Sequence, residues 1–298
     1  MDIESLEILD ESQNLYENKR VMIGLSGGIN SAAVLVYLAE KVEYKPKDIY
    51  LFYAHFDEHS SDTEKFVHDL VAYARTKFEN VHFTQTQNSI NEFFTAQKMI
   101  PHPMAAPCTR MLKIEPAAIF MEANKIDVDL VGYVRNEQRR IDNQQKRLLD
   151  ELKDTKQYPI KHMTNENCFD LVKEFVGWYP AIYDLMWTDS RIIEFAEQHK
   201  CDIPEKHYKI LMKYAKRGYG YKKENLRVFQ HNNCLPCKNM QTWEFYIVKC
   251  FFPDYFEKAM QTAADISKIA GKETYWGRNA DELNSNGKSA ACTFCAFD

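Results

Sequence analysis

The sequence predicts an α/β protein: a doubly wound, mostly parallel sheet with a small helical, cysteine-rich segment at the C-terminal end. Three observations carry this. Short apolar runs alternate with stretches of helical spacing through the first half of the chain, the pattern of βαβ units. A turn of glycines and serines separates the first run from the first helix. Four of the eight cysteines fall in two Cys-x-x-Cys pairs, Cys234/Cys237 and Cys292/Cys295, in the last part of the chain.

The elements follow in order. Residues 21–25 form a buried parallel strand, and helical spacing begins at Ala33, Val34, Tyr37, Leu38 and Val42. Residues 48–56 are a second strand, closed by the polar run 57–63, and Phe66, Leu70, Val71, Tyr73 and Ala74 mark the next helix. A third strand is expected at 81–84, a helix at 116–124 and a fourth strand at 128–132. Residues 137–156 are highly charged with apolar positions at Ile141, Leu148, Leu149 and Leu152, which reads as an amphipathic helix with a solvated face. Two helices are expected in 188–217, separated near Pro204. Beyond residue 230 come an aromatic-rich helix around Trp243 to Phe252 and another to about Gly271. The boundary is therefore placed near 230, giving a nucleotide-binding α/β domain at 1–230 and a helical segment at 231–298. The latter is too small to stand without a staple.

Composition narrows the function. With 298 residues, 45% apolar and 13% aromatic, the chain can bury a large core. Its net charge of −5 supplies no global field for nucleic acid, and it has no apolar run long enough for a membrane span. Cytoplasmic residence is the expectation, so the cysteines are read as metal ligands or inert thiols rather than disulfides.

The turn at 26–31 is where chemistry is expected. Gly27 and Gly28 leave room for backbone N–H groups to converge on an anion at a helix N-terminus, and Ser26 and Ser31 add hydroxyls. The guest is a phosphate or sulfate. The sequence here, Ser-Gly-Gly-Ile-Asn-Ser, resembles the Ser-Gly-Gly-x-Asp-Ser signature of the PP-loop nucleotide α-hydrolases, which include ATP pyrophosphatases and phosphoadenosine phosphosulfate (PAPS) reductases. Four later segments resemble the PAPS reductases in the same order: Phe56-Asp57-Glu58 with the helix after it, Cys108 through Lys113 to Pro116, Gly132 through Arg135 to Arg140, and Tyr179-Pro180 with Trp187-Thr188.

That resemblance implies an adenine nucleotide α-hydrolase-like fold and an adenine nucleotide, ATP or PAPS-like, bound at Ser26, Gly27, Gly28, Asn30 and Ser31. Lys113, Arg135 and Arg139 would neutralise phosphate, with arginine offering bidentate forks; Arg135, directly after the fourth strand, is the first choice. Arg110 and Arg140 could add to them, although Arg140 reads first as a solvated helix charge, as do Arg147, Lys153 and Lys156. Asn30 stands where the family usually has Asp, so it offers magnesium no carboxylate, although it can cap the helix. The reductases' nucleophilic tail cysteine has no counterpart here.

Cys234, Cys237, Cys292 and Cys295 have the chemistry of one four-sulfur centre, zinc or iron–sulfur, with independent redox pairs as the alternative. Cys108, with Cys234 and Cys237, matches three positions of the family's cluster ligands. Lys206 to Arg227 is rich in lysine, arginine and tyrosine: a nucleic-acid surface, a solvated helix face, or a lid over the nucleotide. A homo-oligomer is allowed. The activities implied are adenylation or pyrophosphate release in sulfur transfer or nucleic-acid modification, or reduction of an activated sulfate, with a non-catalytic nucleotide-binding protein as the alternative.

Overall fold

The computed structural model describes residues 15–101, 107–147, 155–178, 234–240 and 242–276, the pairs 186–187, 205–206 and 226–227, and positions 198 and 209. The expected helices of 188–217, most of the 206–227 stretch, and Cys292 and Cys295 lie outside the described residues.

Five parallel strands form one sheet in the order β3-β2-β1-β4-β5. They are β1 (Arg20–Leu25), β2 (Asp48–Phe56), β3 (Val81–Asn88), β4 (Val128–Leu130) and β5 (Lys156–Gln157). Strand order reverses between β1 and β4, and in such sheets the crevice at the C-terminal ends of these strands takes the ligand. A separate antiparallel pair joins Met186–Trp187 to Leu226–Arg227.

One face of the sheet presents Val21, Ile23, Leu25, Ile49, Leu51 and Tyr53 to the main core. Helix α1 (Ile29–Glu40) is buried along most of its length there, between the sheet and α7 (Asn165–Val176). Helix α2 (Ser61–Lys77) covers β2 and β3; the Ser60 hydroxyl caps it by accepting from Thr63 N–H, and acids in its first turn and bases in its last suit its dipole. Thr164 and Asn167 form a reciprocal capping box on α7, which stops at Gly177 with φ +87°.

The other face carries Met22, Phe52 and Phe56, which are also buried. A short turn α4 (Pro107–Thr109), a π-helical stretch (Arg110–Ile114) and α5 (Glu115–Ala123) run over it, and Phe120 meets Tyr50 and Phe52 at ring separations of 6.1 and 5.4 Å. Helix α6 (Gln138–Arg147) follows β4. Near the chain's end, α8 (Thr242–Phe251) packs on α9 (Pro253–Ala270), which lies against α3 (Ile90–Gln97). There Phe56, Ile90, Phe94, Cys234, Ala259, Ala263, Ile266 and Trp276 form a second apolar cluster.

Several expectations need correction. β3 runs on to Asn88, because its Thr and Gln residues keep the alternation without apolar character. β4 stops at Leu130, leaving Gly132 in the following loop. The single helix expected over 137–156 is described from Gln138 to Arg147 and does not reach 156, since Lys156 belongs to β5. Its ammonium pairs with the buried Asp129, so Lys156 is an internal tie between strands rather than a solvated charge. Helices α3 and α7 were not anticipated.

Candidate functional site

The loop after β1 is held by its own serines. Ser31 Oγ–H donates to the Gly28 carbonyl at 3.0 Å and accepts the Ser26 N–H at 3.1 Å, while Gly28 N–H donates to Ser26 Oγ at 3.2 Å. The two hydroxyls lie 3.0 Å apart, and with Ser31's proton spent on Gly28, Ser26 is the donor between them. Both hydroxyls therefore shape the turn first. The N–H groups at the start of α1 have no partners within the helix and lie at the positive end of its dipole, the arrangement that suits an anion.

The two glycines differ in kind. Gly27 has φ +70°, a conformation costly for any side chain, whereas Gly28 at φ −89° and ψ 156° is in the ordinary extended region. Gly28 is the N-cap residue of α1 and makes no side-chain cap. Asn30 lies inside the first turn, so the cap expected of it is not made, and that turn contains no acidic residue.

Two further glycines complete the crevice. Gly24 is exposed although it belongs to the central strand, with nothing within 4 Å of where its Cβ would stand. A central parallel strand is ordinarily covered on both faces, so the exposure of Gly24 leaves an opening beside the serine turn. Gly132 does the reverse. A Cβ there would stand 2.9 Å from the Asn30 carbonyl carbon and oxygen and 3.2 Å from Ser31 N, so only glycine lets the chain leaving β4 rest on the start of α1.

That close approach brings the 132–140 segment to the same edge. Arg135 opens a 3₁₀ turn (Arg135–Glu137); its N–H donates to the Met163 carbonyl at 2.9 Å, and its guanidinium is exposed without a partner among the described residues. Arg139 is also exposed. Arg140 is not the solvated charge expected: it pairs with Glu137 and lies 4.4 Å over the Tyr133 ring, which stacks on Tyr158 at 5.8 Å. Arg147 has a described backbone only.

Lys113 lies elsewhere than beside the serine turn's first contacts. Its ammonium sits 5.0 Å over the ring of Phe56, the last residue of β2, close to Cys108, Cys234 and Cys237. Burial is the main cause that pushes the Cys234 thiol far up and the Cys237 thiol to about 11; Lys113 eases both, and the neighbouring thiols, Cys108 included, oppose ionisation. The same lysine, after burial, helps hold His59 well below the usual imidazole range. Cys108 thus belongs with the Cys234/Cys237 pair, and the signal for it was the motif position Pro107-Cys108. The donor set suits a thiophilic metal, but among the described residues no group of three ligands is arranged to hold one.

Glu58 was missed as a structural residue. Its carboxylate is 1% exposed and accepts from Ser89 Oγ at 2.8 Å, Ile90 N–H at 2.9 Å, and Asn91 N–H and Nδ2 at 3.3 and 2.6 Å, closing the N-terminus of α3. The Glu58 carbonyl accepts Leu235 N–H at 2.9 Å, which seats the Cys234/Cys237 turn against the end of β2.

The profile of the phosphoadenosine phosphosulfate reductase domain family matches residues 20–209. Among solved structures, NMN synthetase from Francisella tularensis is similar at 16% identity and TM-score 0.38 over 56% of this chain; the match spans 65% of that protein's length. The U34-tRNA thiolase NcsA from Methanococcus maripaludis, described with its 4Fe-4S cluster, is similar at 14% identity and TM-score 0.40 over 68% of this chain and 72% of that one. NH3-dependent NAD synthetase from Campylobacter jejuni, in complex with nitrate, is similar at 13% identity and TM-score 0.35 over 68% and 88%. No curated protein sequence matches.

Proposed function

The chain belongs to the phosphoadenosine phosphosulfate reductase domain family, and from that premise we propose that it binds an adenine nucleotide, ATP or PAPS-like, with its phosphates at Ser26–Ser31 and its nucleoside over Gly24. The observation that carries this reading is the open space at Gly24 on the central strand, next to a serine-stapled helix start at the strand-order reversal. Ser26, Gly27, Gly28, Asn30 and Ser31 form the cradle; Arg135 and Arg139 neutralise the outer phosphates, and Lys113, over Phe56 at the end of β2, is a further cation for the bound anion. The reaction is α-phosphate activation by pyrophosphate release or adenylation, serving sulfur transfer or nucleic-acid modification, or reduction of an activated sulfate. Positive groups fixed before reaction suit each, because negative charge grows on the transferring group.

Cys234 and Cys237, with Cys292 and Cys295, are the proposed ligands of a zinc or iron–sulfur centre, and Cys108 is their neighbour. Such a centre would supply a staple or electrons; no step above depends on it. The residues of 206–227 are proposed as a nucleic-acid surface.

Titration calorimetry with ATP and with PAPS tests the central claim. Gly28→Val should abolish binding while the protein stays folded, since valine accepts the backbone conformation of position 28 and only its side chain would occupy the anion's place. Unchanged affinity in a folded Gly28→Val protein refutes the site. A second reading, a nucleotide binder without turnover, is favoured by the first turn of α1, which holds Asn30 and no carboxylate for magnesium. Pyrophosphate release measured in wild type and Asn30→Asp separates the two: activity appearing only in the variant supports the binder, and equal activity in both supports the enzyme.

A further inference from the structure

Strand β3 ends the sheet, and among the described residues its outer side pairs with nothing. Its hydrogen-bonding phase can be read from its inner side. The carbonyls of Asn80 and Asn88 accept from Ile49 and Asp57 of the β2 strand and its end, so even-numbered residues face β2. The backbone groups of Val81, Phe83, Gln85 and Gln87 therefore face outward, N–H and C=O alike.

Eight residues of such an edge are a template for another strand, and proteins that keep an edge solitary blunt it with lysine, proline, a bulge or a covering segment. Among the described residues β3 has none of these. Its sequence, Val-His-Phe-Thr-Gln-Thr-Gln-Asn, carries no lysine, arginine, aspartate, glutamate or proline, in a chain of which 27% of residues are charged. Its pairing with β2 is continuous from Val81 to Asn88 without a bulge. Thr84, Gln85 and Gln87 are exposed, and His82, the one titratable side chain, is half-exposed against Asp48 and stacked on Tyr50 at 4.5 Å.

We infer that β3 pairs antiparallel with β3 of a second copy of this chain, joining two sheets into one across a two-fold axis at Thr84. A second copy fits better than a charged partner because a two-fold axis sets each side chain near its own kind. Any charge close to the axis would repel itself, and the edge has no formal charge to do so. The register follows from the phase. Centring on Thr84 sets Val81 opposite Gln87 of the partner and Phe83 opposite Gln85 of the partner, so all four outward residues exchange backbone hydrogen bonds, whereas centring on Gln85 would leave Val81 without a pair within the strand. Sheet faces are preserved: Val81 and Phe83, half-buried beneath α2, stay on that face in both copies, and the exposed Thr84 meets its symmetry mate on the opposite face. A strand edge alone falls short of the roughly 800 Å² per partner of stable complexes, so the association is concentration-dependent.

Sedimentation equilibrium on the full chain over a wide concentration range tests this, independently of nucleotide binding. Wild type should rise from the 35.0 kDa chain mass toward twice that value. Gln85→Pro should stay at the single-chain mass at every concentration with an unchanged circular dichroism spectrum, because the N–H it removes points away from β2; Gln85→Lys, which places like charges beside the axis, should do the same and serves if the proline variant fails to fold. Thr84→Cys, treated with diamide, should give a dimer whose disulfide maps to position 84 on both chains, since non-hydrogen-bonded opposite residues have Cα atoms about 4.5 Å apart. The inference is overturned if wild type keeps the single-chain mass throughout, if the doubled mass persists in the folded Gln85 variants, or if the Thr84→Cys dimer contains no bond at that position.

Discussion

Gly132→Ala tests whether β4 and the start of α1 are as tightly joined as they look. The added methyl would stand 2.9 Å from the carbonyl of Asn30, where ordinary contact begins near 3.4 Å, so something must move by about 0.5 Å. The obstacle is backbone, and it belongs to a first turn whose Ile29, Ser31 and Ala32 are buried. Overpacking of this kind costs about 1–3 kcal/mol, and at about 2–4 °C per kcal/mol for a chain of this size the melting temperature should fall measurably. The displaced residues carry the proposed anion-binding N–H groups, so nucleotide affinity should fall roughly tenfold, equivalent to about 1.4 kcal/mol. Thermal denaturation and calorimetry with ATP read both effects. Gly24→Ala is the contrast: its methyl enters open space, so the melting temperature should hold, while the bulkier Gly24→Leu should hold it too and block the nucleotide. A Gly132→Ala protein with wild-type melting and wild-type affinity would show that the two segments are free to part and that the crevice is not built by this contact.

Glu58→Ala strips four hydrogen bonds from the buried start of α3 and orphans their donors, so denaturant unfolding should show a loss of about 3–4 kcal/mol, far more than Asp57→Ala beside it. Arg135→Ala should weaken nucleotide binding about 10- to 100-fold, the worth of a charged hydrogen bond, whereas Arg20→Ala, at the opposite end of β1, should leave affinity alone. Stability should fall as pH drops below about 6.5: buried His59 is held neutral in the fold and accepts a proton readily only when unfolded, so the unfolded state binds more protons in that range. The slope from this group is at most about 1.4 kcal/mol per pH unit, and urea titrations at pH 7.5 and 5.5 should show it diminished in His59→Gln.

The sheet's centre was readable because buried parallel strands are continuous apolar runs: residues 21–25 and 48–56 stand where expected. β3 and β5 were cut short or missed because edge strands need little apolar character, and Thr, Gln and Lys disguise them. The glycine turn was recognised, but its serines looked like free phosphate donors, since nothing in the order Ser-Gly-Gly-Ile-Asn-Ser reveals that Ser31 folds back onto Gly28. Arg140 looked solvated for a related reason: its partners Glu137 and Tyr133 are local, yet only the turn geometry brings them to it. Glu58 was hidden most fully, because a carboxylate at the end of a parallel strand is as suited to a ligand as to a neighbouring helix.

The seating of the Cys234/Cys237 turn on the end of β2 sets an order of events for the nascent chain. Leu235 reaches back to Glu58, Tyr255 OH to the His59 carbonyl and Thr262 to Asn91, contacts spanning well over half the sequence. β1 to β3 can pair as they leave the ribosome, but the apolar cluster around Phe56, Ile90 and Phe94 is not complete until α9 and Trp276 are synthesised. Contacts so distant in sequence close slowly, so the last step of folding is the arrival of the C-terminal helices on a surface that has been waiting for them. A ribosome stalled before residue 234 would hold a chain with a formed sheet and an adhesive flank, the kind of intermediate that chaperones bind.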